Sequence, residues 1–277
     1  MNPPTNTAMV WYQGQVLPWT QLTIPASDGA FEHGLGLFES IRYESGRVPL
    51  WELHLERLRS SADELGLQLT KSQIPDLSEV ASLVNASAFD TNSVRLRMVL
   101  TAGSPNSGSR LWISSHPLSP VSNDNLRIAG NYWPVDSRDR LVRHKTLNYW
   151  LRRRAYEQAT AAGFDEILSE DFDGNIWEGS RTSLILIKNS LLIFPEAGGP
   201  YLPSVASRAL ETMVKRRGEI GICHQRIKDE DLEDADEILL ANALRGLLSV
   251  CSWRSKVYPS PGPVSQRLRE QWHHDFF

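Results

Sequence analysis

The chain alternates between short segments with the periodicity of strands and segments with the periodicity of amphipathic helices. This alternation limits the possible folds more strongly than any other feature of the sequence. Residues 37–43 and 94–100 alternate between apolar and polar side chains, which is typical of half-buried strands. Residues 53–65 place Leu55 and Leu58 on one apolar stripe, which is typical of a helix that packs on a sheet. The sequence therefore predicts a chain that combines strands and helices, and 277 residues are enough for two domains or for one large one.

The stretch 116–125 is the best candidate for a linker between two domains. It is polar and contains Pro117 and Pro120. Few contacts are expected to cross such a stretch. We therefore expect a smaller N-terminal α/β domain at residues 1–118 and a larger C-terminal α/β domain at residues 119–277.

The composition argues against several classes of function. The 29 basic and 33 acidic side chains give a net charge of −4, so the chain lacks the basic excess of a nucleic-acid-binding protein. No apolar stretch approaches the roughly 20 residues needed to cross a bilayer, and the first residues lack the pattern of a signal peptide. Cys223 and Cys251 have neither CxxC nor CxxH spacing, so we expect no disulfide framework and no metal site. These observations predict a soluble cytoplasmic protein that binds neither nucleic acid nor membranes.

Lys145 and Glu178 are side chains that could carry chemistry. A lysine forms a Schiff base with an aldehyde only when its amine is neutral, and burial or nearby positive charge favours that state. Glu178 stands at a turn before an apolar strand. A carboxylate in that place could hold a protonated pyridine nitrogen. Taken alone, each of these residues is more often an ordinary solvated side chain.

The segment around Ser204 reads as the start of a helix. Ser204 is a good N-cap, so Val205 and Ala206 would present free backbone N–H groups that can bind a phosphate. Arg57 lies close to the apolar stripe of the predicted helix 53–65 and could reach a phosphate as a two-pronged donor. An ordinary capped helix and a snorkelling arginine explain the same residues without a ligand.

Arg152, Arg153 and Arg154 form a short basic run within the predicted helix 147–162. The run is too short for a nucleic-acid patch. We expect it to form a solvated or dimer-facing surface.

An ordered set of motifs resembles the class IV aminotransferases, which are the fold-type IV pyridoxal 5′-phosphate (PLP) enzymes and include branched-chain and D-amino-acid aminotransferases and 4-amino-4-deoxychorismate lyase. The resemblance runs from about residue 10 to residue 250. The motifs, in chain order, are GLGLFESIR (34–42), HLERL (54–58), KTLN (145–148), EGS (178–180), LPSV (202–205) and NAL (242–244).

This resemblance implies two α/β domains with PLP bound between them, and a homodimer. It implies that Lys145, in the C-terminal domain, is the catalytic Schiff-base lysine and that Glu178 is the partner of the pyridine nitrogen. The residues that it implies for the phosphate and its surroundings are Arg57, Ser204, Val205, Ala206, Asn242, Ala243 and Leu244.

The resemblance also implies the reaction, which is the transfer of an amino group between an amino acid and a 2-keto acid. The alternative is a 4-amino-4-deoxychorismate lyase, which eliminates pyruvate from aminodeoxychorismate and leaves 4-aminobenzoate. Lys145-Thr146-Leu147-Asn148 and Asn242-Ala243-Leu244 look more like the lyases than like many branched-chain aminotransferases, and the first motif also looks like D-amino-acid transaminases. A non-catalytic scaffold with the same fold is a more remote alternative.

Three arginines are candidates for binding the carboxylate of the substrate. They are Arg95, Arg97 and Arg110. Arginines on strands can equally be plain surface charges.

Overall fold

The computed structural model describes residues 8–104, 107–120, 122 and 124–277. The chain divides into two compact units, one made of Met1–Pro120 with Lys145–Asn148 and the other of Val121–His144 with Tyr149–Phe277. Of the predicted linker, Val121 and Asn123 lie outside the described residues.

The position of Lys145 differs from the expectation that the C-terminal domain carries it. The segment Lys145–Asn148 belongs to the first unit. Its backbone pairs with the strand that begins at Gly36: the Phe38 N–H donates to the Lys145 carbonyl at 2.8 Å, and the Leu147 N–H donates to the Gly36 carbonyl at 2.9 Å. These bonds attach a short segment from the middle of the chain to the first unit.

The first unit is a five-stranded sheet with helices. Its strands are β1 (Met9–Tyr12), β2 (Gln15–Pro18), β3 (Gly36–Glu44), β4 (Ser93–Ser104) and β5 (Gly108–Pro117), and its helices are α1 (Gly29–His33), α2 (Trp51–Glu64) and α3 (Leu77–Ala86). The strand order is β2-β1-β5-β4-β3, with all neighbours antiparallel.

The two faces of this sheet have different chemistry because neighbouring residues of a strand point to opposite sides. One face carries Leu37, Leu96 and Ile113, which pack with Leu55 and Leu58 of α2 in the buried core. The other face carries polar and charged groups. On that face Arg97 pairs in register with Ser114, and Arg95 with His116.

Over its described residues, the second unit contains a nine-stranded sheet and four α-helices. Its strands are β6 (Leu126–Pro134), β7 (Glu166–Glu170), β8 (Ile176–Gly179), β9 (Ser183–Lys188), β10 (Leu191–Pro195), β11 (Gly221–Gln225), β12 (Glu237–Asn242), β13 (Gly246–Trp253) and β14 (Lys256–Val257). Its helices are α4 (Trp150–Ala161), α5 (Val205–Arg217), α6 (Asp229–Asp234) and α7 (Pro263–Phe276).

Part of this sheet closes on itself. The strand order is β11-β10-β9-β12-β13-β6-β7-β8, and β8 also pairs with β9 through Glu178 and Ser183. The strands β9, β12, β13, β6, β7 and β8 therefore form a ring. Leu168, Ile176, Leu184 and Leu240 belong to the buried core of this unit. Glu178 lies at the point where the ring closes.

Over the described residues, no helix is both long enough and apolar enough to pass through a bilayer. The same part of the chain contains no group of three or more His, Cys, Asp or Glu side chains that could hold a metal ion.

Candidate functional site

Lys145 lies on a short extended segment beside the edge strand β3. Thr146 forms a bridge with Leu37, so the segment adds a brief extra strand to the sheet. A side chain at Gly36 would block this pairing, because its Cβ would stand 2.6 Å from Cδ1 of Leu147 and 2.7 Å from the Leu100 carbonyl oxygen. The glycine in the motif therefore allows the close approach that positions Lys145.

The ring of Phe38 contacts two cations. Nζ of Lys145 lies 4.5 Å from the ring centroid, and Cζ of Arg97 lies 4.0 Å from it. Cations at such distances are attracted to the face of an aromatic ring. Phe38 thus keeps the amine of Lys145 near the positively charged face of the first sheet.

Arg57 is held by a buried carboxylate. Its Nε donates to Oε1 of Glu39 at 2.8 Å, and its Nη2 donates to Oε2 of Glu39 at 2.6 Å. Glu39 is 1% exposed. This two-pronged arrangement fixes the plane of the guanidinium group. The predicted phosphate ligand Arg57 is therefore oriented by Glu39, to which the sequence alone assigned no role.

His54 completes this cluster and is 1% exposed. Its Nδ1 lies 2.7 Å from Oε2 of Glu39. Burial alone would raise the pKa of Glu39, but Arg57 and His54 outweigh it and lower that pKa to about 2. Glu39 is therefore ionised, so Nδ1 of His54 carries the proton and donates. Burial lowers the pKa of His54 itself, against the opposing effect of Glu39.

The three candidate arginines of the first unit have different surroundings. Arg110 is committed to buried Asp28, since its Nη1 lies 3.0 Å from Oδ2 of that residue. Nε of Arg95, in contrast, is buried and has no hydrogen-bond partner among the described residues. Burial lowers the pKa of Arg95, and burial together with Arg95 and Arg97 lowers the pKa of His116 to about 4. Arg95 and Arg97 thus form a region of positive charge beside a neutral histidine.

Glu178 is the buried carboxylate of the second unit. It is 4% exposed and lies near the end of β8. Oε1 accepts a hydrogen bond from the Leu202 N–H at 3.0 Å and another from Nη2 of Arg152. The backbone N–H of Glu178 donates to Oγ of Ser169 at 3.2 Å. The turn glutamate of the sequence is therefore a fixed and buried acid.

A second buried carboxylate organises the turn that follows Glu178. Glu166 is 1% exposed. Its oxygens accept bonds from the Ser180 N–H at 3.0 Å, the Arg181 N–H at 3.2 Å and Oγ1 of Thr182 at 3.0 Å. Gly179 is required here, since a Cβ at this position would stand 2.2 Å from Oγ1 of Thr182. Glu166 thus fixes the chain immediately after Glu178.

Helix α5 begins as the sequence predicts. Oγ of Ser204 accepts the N–H of Ser207 at 3.2 Å and so caps the helix. The first N–H groups of a helix have no acceptor within the helix, so those of Val205 and Ala206 remain available to an anion. The hydroxyl of Ser207 is buried and has no partner among the described residues.

Asn242 organises the turn between β12 and β13. Its Oδ1 accepts the Leu244 N–H at 3.1 Å and the Arg245 N–H at 2.9 Å. The Leu244 N–H is therefore already bonded within the turn. Ala243, the other backbone donor expected here, lies in the same turn.

Arg152 differs from the surface role expected for the run 152–154. Its side chain is 11% exposed and pairs with Glu178, whereas the side chains of Arg153 and Arg154 are 51% and 55% exposed and pair with Glu157. The helical period contained the signal, because Arg152 lies on the same face of α4 as the buried residues Ala155 and Ala159.

A family profile described as "Amino-transferase class IV" matches residues 36–253. A Methanocaldococcus jannaschii protein provisionally assigned as a branched-chain-amino-acid aminotransferase is 26% identical over 267 residues, which cover 89% of this chain and 90% of that protein.

Solved structures show the same fold. A hypothetical aminotransferase from Mycobacterium tuberculosis in its PLP-bound form superimposes with a TM-score of 0.83 and 22% identity, covering 97% of this chain and 98% of the other. A Legionella pneumophila protein provisionally assigned as a 4-amino-4-deoxychorismate lyase superimposes with a TM-score of 0.82 and 23% identity, covering 93% and 97%. These similarities confirm the mixed α/β fold predicted from the sequence.

Proposed function

Because the chain belongs to the class IV aminotransferase family, we propose that it binds PLP and transfers an amino group from an amino acid to a 2-keto acid. Membership confirms the family and the aminotransferase class expected from the sequence. The observation that carries the proposal of PLP is the buried carboxylate of Glu178, with Oε1 fixed by a cation and a backbone amide.

The donors and acceptors of the chain match the chemical groups of PLP. The cofactor combines an aldehyde, a pyridine nitrogen and a phosphate, and Lys145, Glu178 and the N-terminus of α5 are suited to these in turn. When bound, PLP supplies an electron-withdrawing ring that stabilises negative charge at the α-carbon of the substrate.

Lys145 has two roles in this proposal. Its Nζ would hold the aldehyde of the cofactor, and once the substrate is bound the same amine would move the proton at the α-carbon of the substrate. Glu178 would accept the N–H of the pyridine ring. The contact with Phe38 keeps Lys145 in place for both tasks.

We assign the phosphate to the backbone N–H groups of Val205, Ala206 and Ala243, together with Arg57. The positive end of the α5 dipole supports this assignment. Ser204 supports it as the cap of the helix, since its hydroxyl is used by the Ser207 N–H. Glu39 supports it by fixing the plane of Arg57.

The substrate carboxylate is assigned to Arg95 and Arg97. The buried Nε of Arg95, without a partner among the described residues, is a donor that an anion would satisfy. Arg110 is left out of this assignment because Asp28 already binds it. The proposed partners are therefore small amino and keto acids.

A 4-amino-4-deoxychorismate lyase is the second candidate. The motif Lys145-Thr146-Leu147-Asn148 and the similarity in fold to the Legionella pneumophila protein favour it. The lyase would use the same lysine and the same carboxylate, but after removal of the α-proton the substrate would lose pyruvate and leave 4-aminobenzoate.

We also propose a cytoplasmic homodimer. Two large apolar side chains at the start of α4, Trp150 and Leu151, are 72% and 68% exposed in the isolated chain. A second copy of the chain would cover such a patch. Both cysteines, Cys223 and Cys251, are free thiols, which fits a reducing compartment.

A pair of assays separates the candidate reactions. Purified protein is incubated with PLP, and its visible spectrum is followed with a panel of L- and D-amino acids plus 2-oxoglutarate. We expect a yellow protein that bleaches with an amino acid and recovers with the keto acid. Release of pyruvate and 4-aminobenzoate from aminodeoxychorismate would identify the lyase, and a protein that takes up no PLP would contradict both reactions.

A further inference from the structure

The donors to Glu178 converge on one oxygen. Arg152 and the Leu202 N–H both bind Oε1, and neither donates to Oε2. Oε2 receives no hydrogen bond from the described residues. The carboxylate is thus held from one side, and its second oxygen is presented in a fixed direction.

Arg152 is built into the second unit. Its side chain is 11% exposed. Its Cζ lies 5.3 Å from the ring centroid of Trp133 and 5.6 Å from that of Tyr149. Burial alone would lower the pKa of Arg152, but the Glu178 carboxylate outweighs it and the pKa is raised. Arg152 therefore remains charged at any pH at which the protein is folded.

We propose that Arg152 is a positioning residue for the cofactor: by holding Oε1 of Glu178, it directs Oε2 toward the ring nitrogen and keeps that nitrogen protonated. This inference rests on the proposed function, in which Glu178 binds the pyridine nitrogen. In this role Arg152 acts through Glu178.

The removal of Arg152 could affect Glu178 in two opposing ways. A buried carboxylate without a cation is costly, so it takes up a proton or turns toward water. Either change removes the acceptor for the ring N–H. The opposing possibility is that an unpaired carboxylate binds the ring N–H more strongly. Because only the Leu202 N–H would still hold Glu178, we expect the loss of orientation to dominate.

The same contact links Glu178 to the proposed phosphate site. Leu202 lies two residues before Ser204, the N-cap of α5. A shift of Glu178 therefore pulls on the chain that leads into α5. For this reason the loss of Arg152 is expected to weaken the binding of PLP as well as to change the state of its ring.

The test uses Arg152→Met and Arg152→Lys, with Arg153→Met as the matched control. Arg153 is the next residue of the same helix, is 51% exposed and pairs with Glu157. The dissociation constant of PLP is measured by absorbance titration, and protonation of the ring is read from the ¹⁵N chemical shift of PLP labelled at the ring nitrogen. Thermal unfolding without PLP checks that each variant folds.

We expect Arg152→Met to weaken PLP binding at least tenfold and to shift the ¹⁵N resonance toward that of a neutral pyridine. Arg152→Lys keeps the charge, so its PLP affinity and its ¹⁵N shift should lie between those of Arg152→Met and the wild type. Arg153→Met should match the wild type in both measurements. An unchanged ¹⁵N shift in Arg152→Met with unchanged or tighter binding would overturn the inference.

Glu178→Gln shows whether Arg152 acts through Glu178. In that background Arg152→Met should change the affinity for PLP less than twofold, and a full tenfold loss would mean that Arg152 acts independently, against the inference. Different results would refute the proposal that the protein binds PLP and the proposal that Arg152 positions Glu178. A wild-type protein that binds no PLP refutes both, whereas a wild type that binds PLP like Arg152→Met refutes the role of Arg152 alone.

Discussion

Arg57 donates two hydrogen bonds to the buried carboxylate of Glu39, from Nε to Oε1 at 2.8 Å and from Nη2 to Oε2 at 2.6 Å. His54 adds a third bond to Oε2 at 2.7 Å. The cluster fixes an arginine that we assign to the cofactor phosphate, and it joins α2 to β3. It therefore contributes to stability as well as to the proposed site.

Glu39→Gln should destabilise the protein by about 3 kcal/mol at pH 6, because it leaves the partly buried Arg57 without its counter-charge. The pKa of Glu39 is lowered from 4.5 to about 2 in the folded protein. A carboxyl group with a lowered folded pKa stabilises the protein fully above its unfolded pKa and loses that effect as the pH falls through the folded pKa. The difference between wild type and variant should therefore shrink from pH 4.5 to pH 2.

Urea unfolding at a series of pH values measures this difference. Glu52→Gln is the control, since Glu52 is an exposed residue of the same helix and its change should have no comparable effect. A difference between Glu39→Gln and wild type that stays constant down to pH 2 would argue against an ionised Glu39 as the source of stability.

Glu166→Gln should lower the free energy of unfolding by about 3 kcal/mol. The amide nitrogen of glutamine would face backbone and hydroxyl donors, which in the wild type share the two carboxylate oxygens of Glu166. The donors include Ser180, Arg181 and Thr182, all in the turn after Glu178. We therefore also expect weaker PLP binding. Glu157→Gln, at a side chain of α4 that is 40% exposed, should change stability much less.

Thermal unfolding with and without PLP measures both effects of Glu166→Gln. Equal stability of the Glu166 and Glu157 variants would show that the buried carboxylate does not organise the turn.

Gly36→Ala should disturb the segment that carries Lys145. The Cβ of the new alanine would stand 2.6 Å from Leu147 and 2.7 Å from the Leu100 carbonyl, so either the segment that contains Leu147 or strand β4 has to move. We expect a loss of about 1–3 kcal/mol, as in overpacked cores, and slower attachment of PLP to the lysine.

Stopped-flow absorbance measures the rate of PLP attachment in Gly36→Ala. Gly46→Ala is the comparison, because its Cβ would meet nothing within 4 Å although its φ is positive. If both variants attach PLP at the wild-type rate, close approach at Gly36 does not position Lys145.

Arg95→Gln should raise KM for the amino acid by about tenfold to a hundredfold, which is the range of a lost charge-assisted hydrogen bond, with little change in PLP affinity. Arg110→Gln should instead leave KM near the wild-type value. It should lower the stability of the protein, because Asp28 is left buried without the arginine that pairs with it. Steady-state kinetics and thermal unfolding of both variants test the pair of predictions. A larger rise in KM for Arg110→Gln than for Arg95→Gln would contradict the assignment.

Local patterns in the sequence predicted the elements that carry the motifs. The helix predicted at 53–65 is observed at Trp51–Glu64, and the capped start at Ser204 is observed as the N-cap of α5. These features depend on residues close together in the chain. The family and the mixed fold were recognised for the same reason, since each motif is contiguous.

The partners of the site residues were not predictable in this way. Glu39 and Arg57 are 18 residues apart, and Arg152 and Glu178 are 26 apart. Such pairs depend on which strand or helix lies beside which, and the alternation of apolar residues does not encode that. The pairing of β8 with β9, which closes the ring at Glu178, likewise leaves no local signal. The face shared by Arg152, Ala155 and Ala159 was the one available hint.

Lys145 is the lysine that we propose to bind the cofactor, and borohydride reduction of the PLP-loaded protein followed by peptide mass spectrometry tests this directly. Reduction makes the bond between lysine and cofactor permanent, so the modified peptide identifies the residue. The chain offers five other lysines, at 71, 188, 215, 228 and 256. We predict a phosphopyridoxyl group on Lys145 and none on the others. Labelling of a different lysine, or of none, would contradict the proposed function.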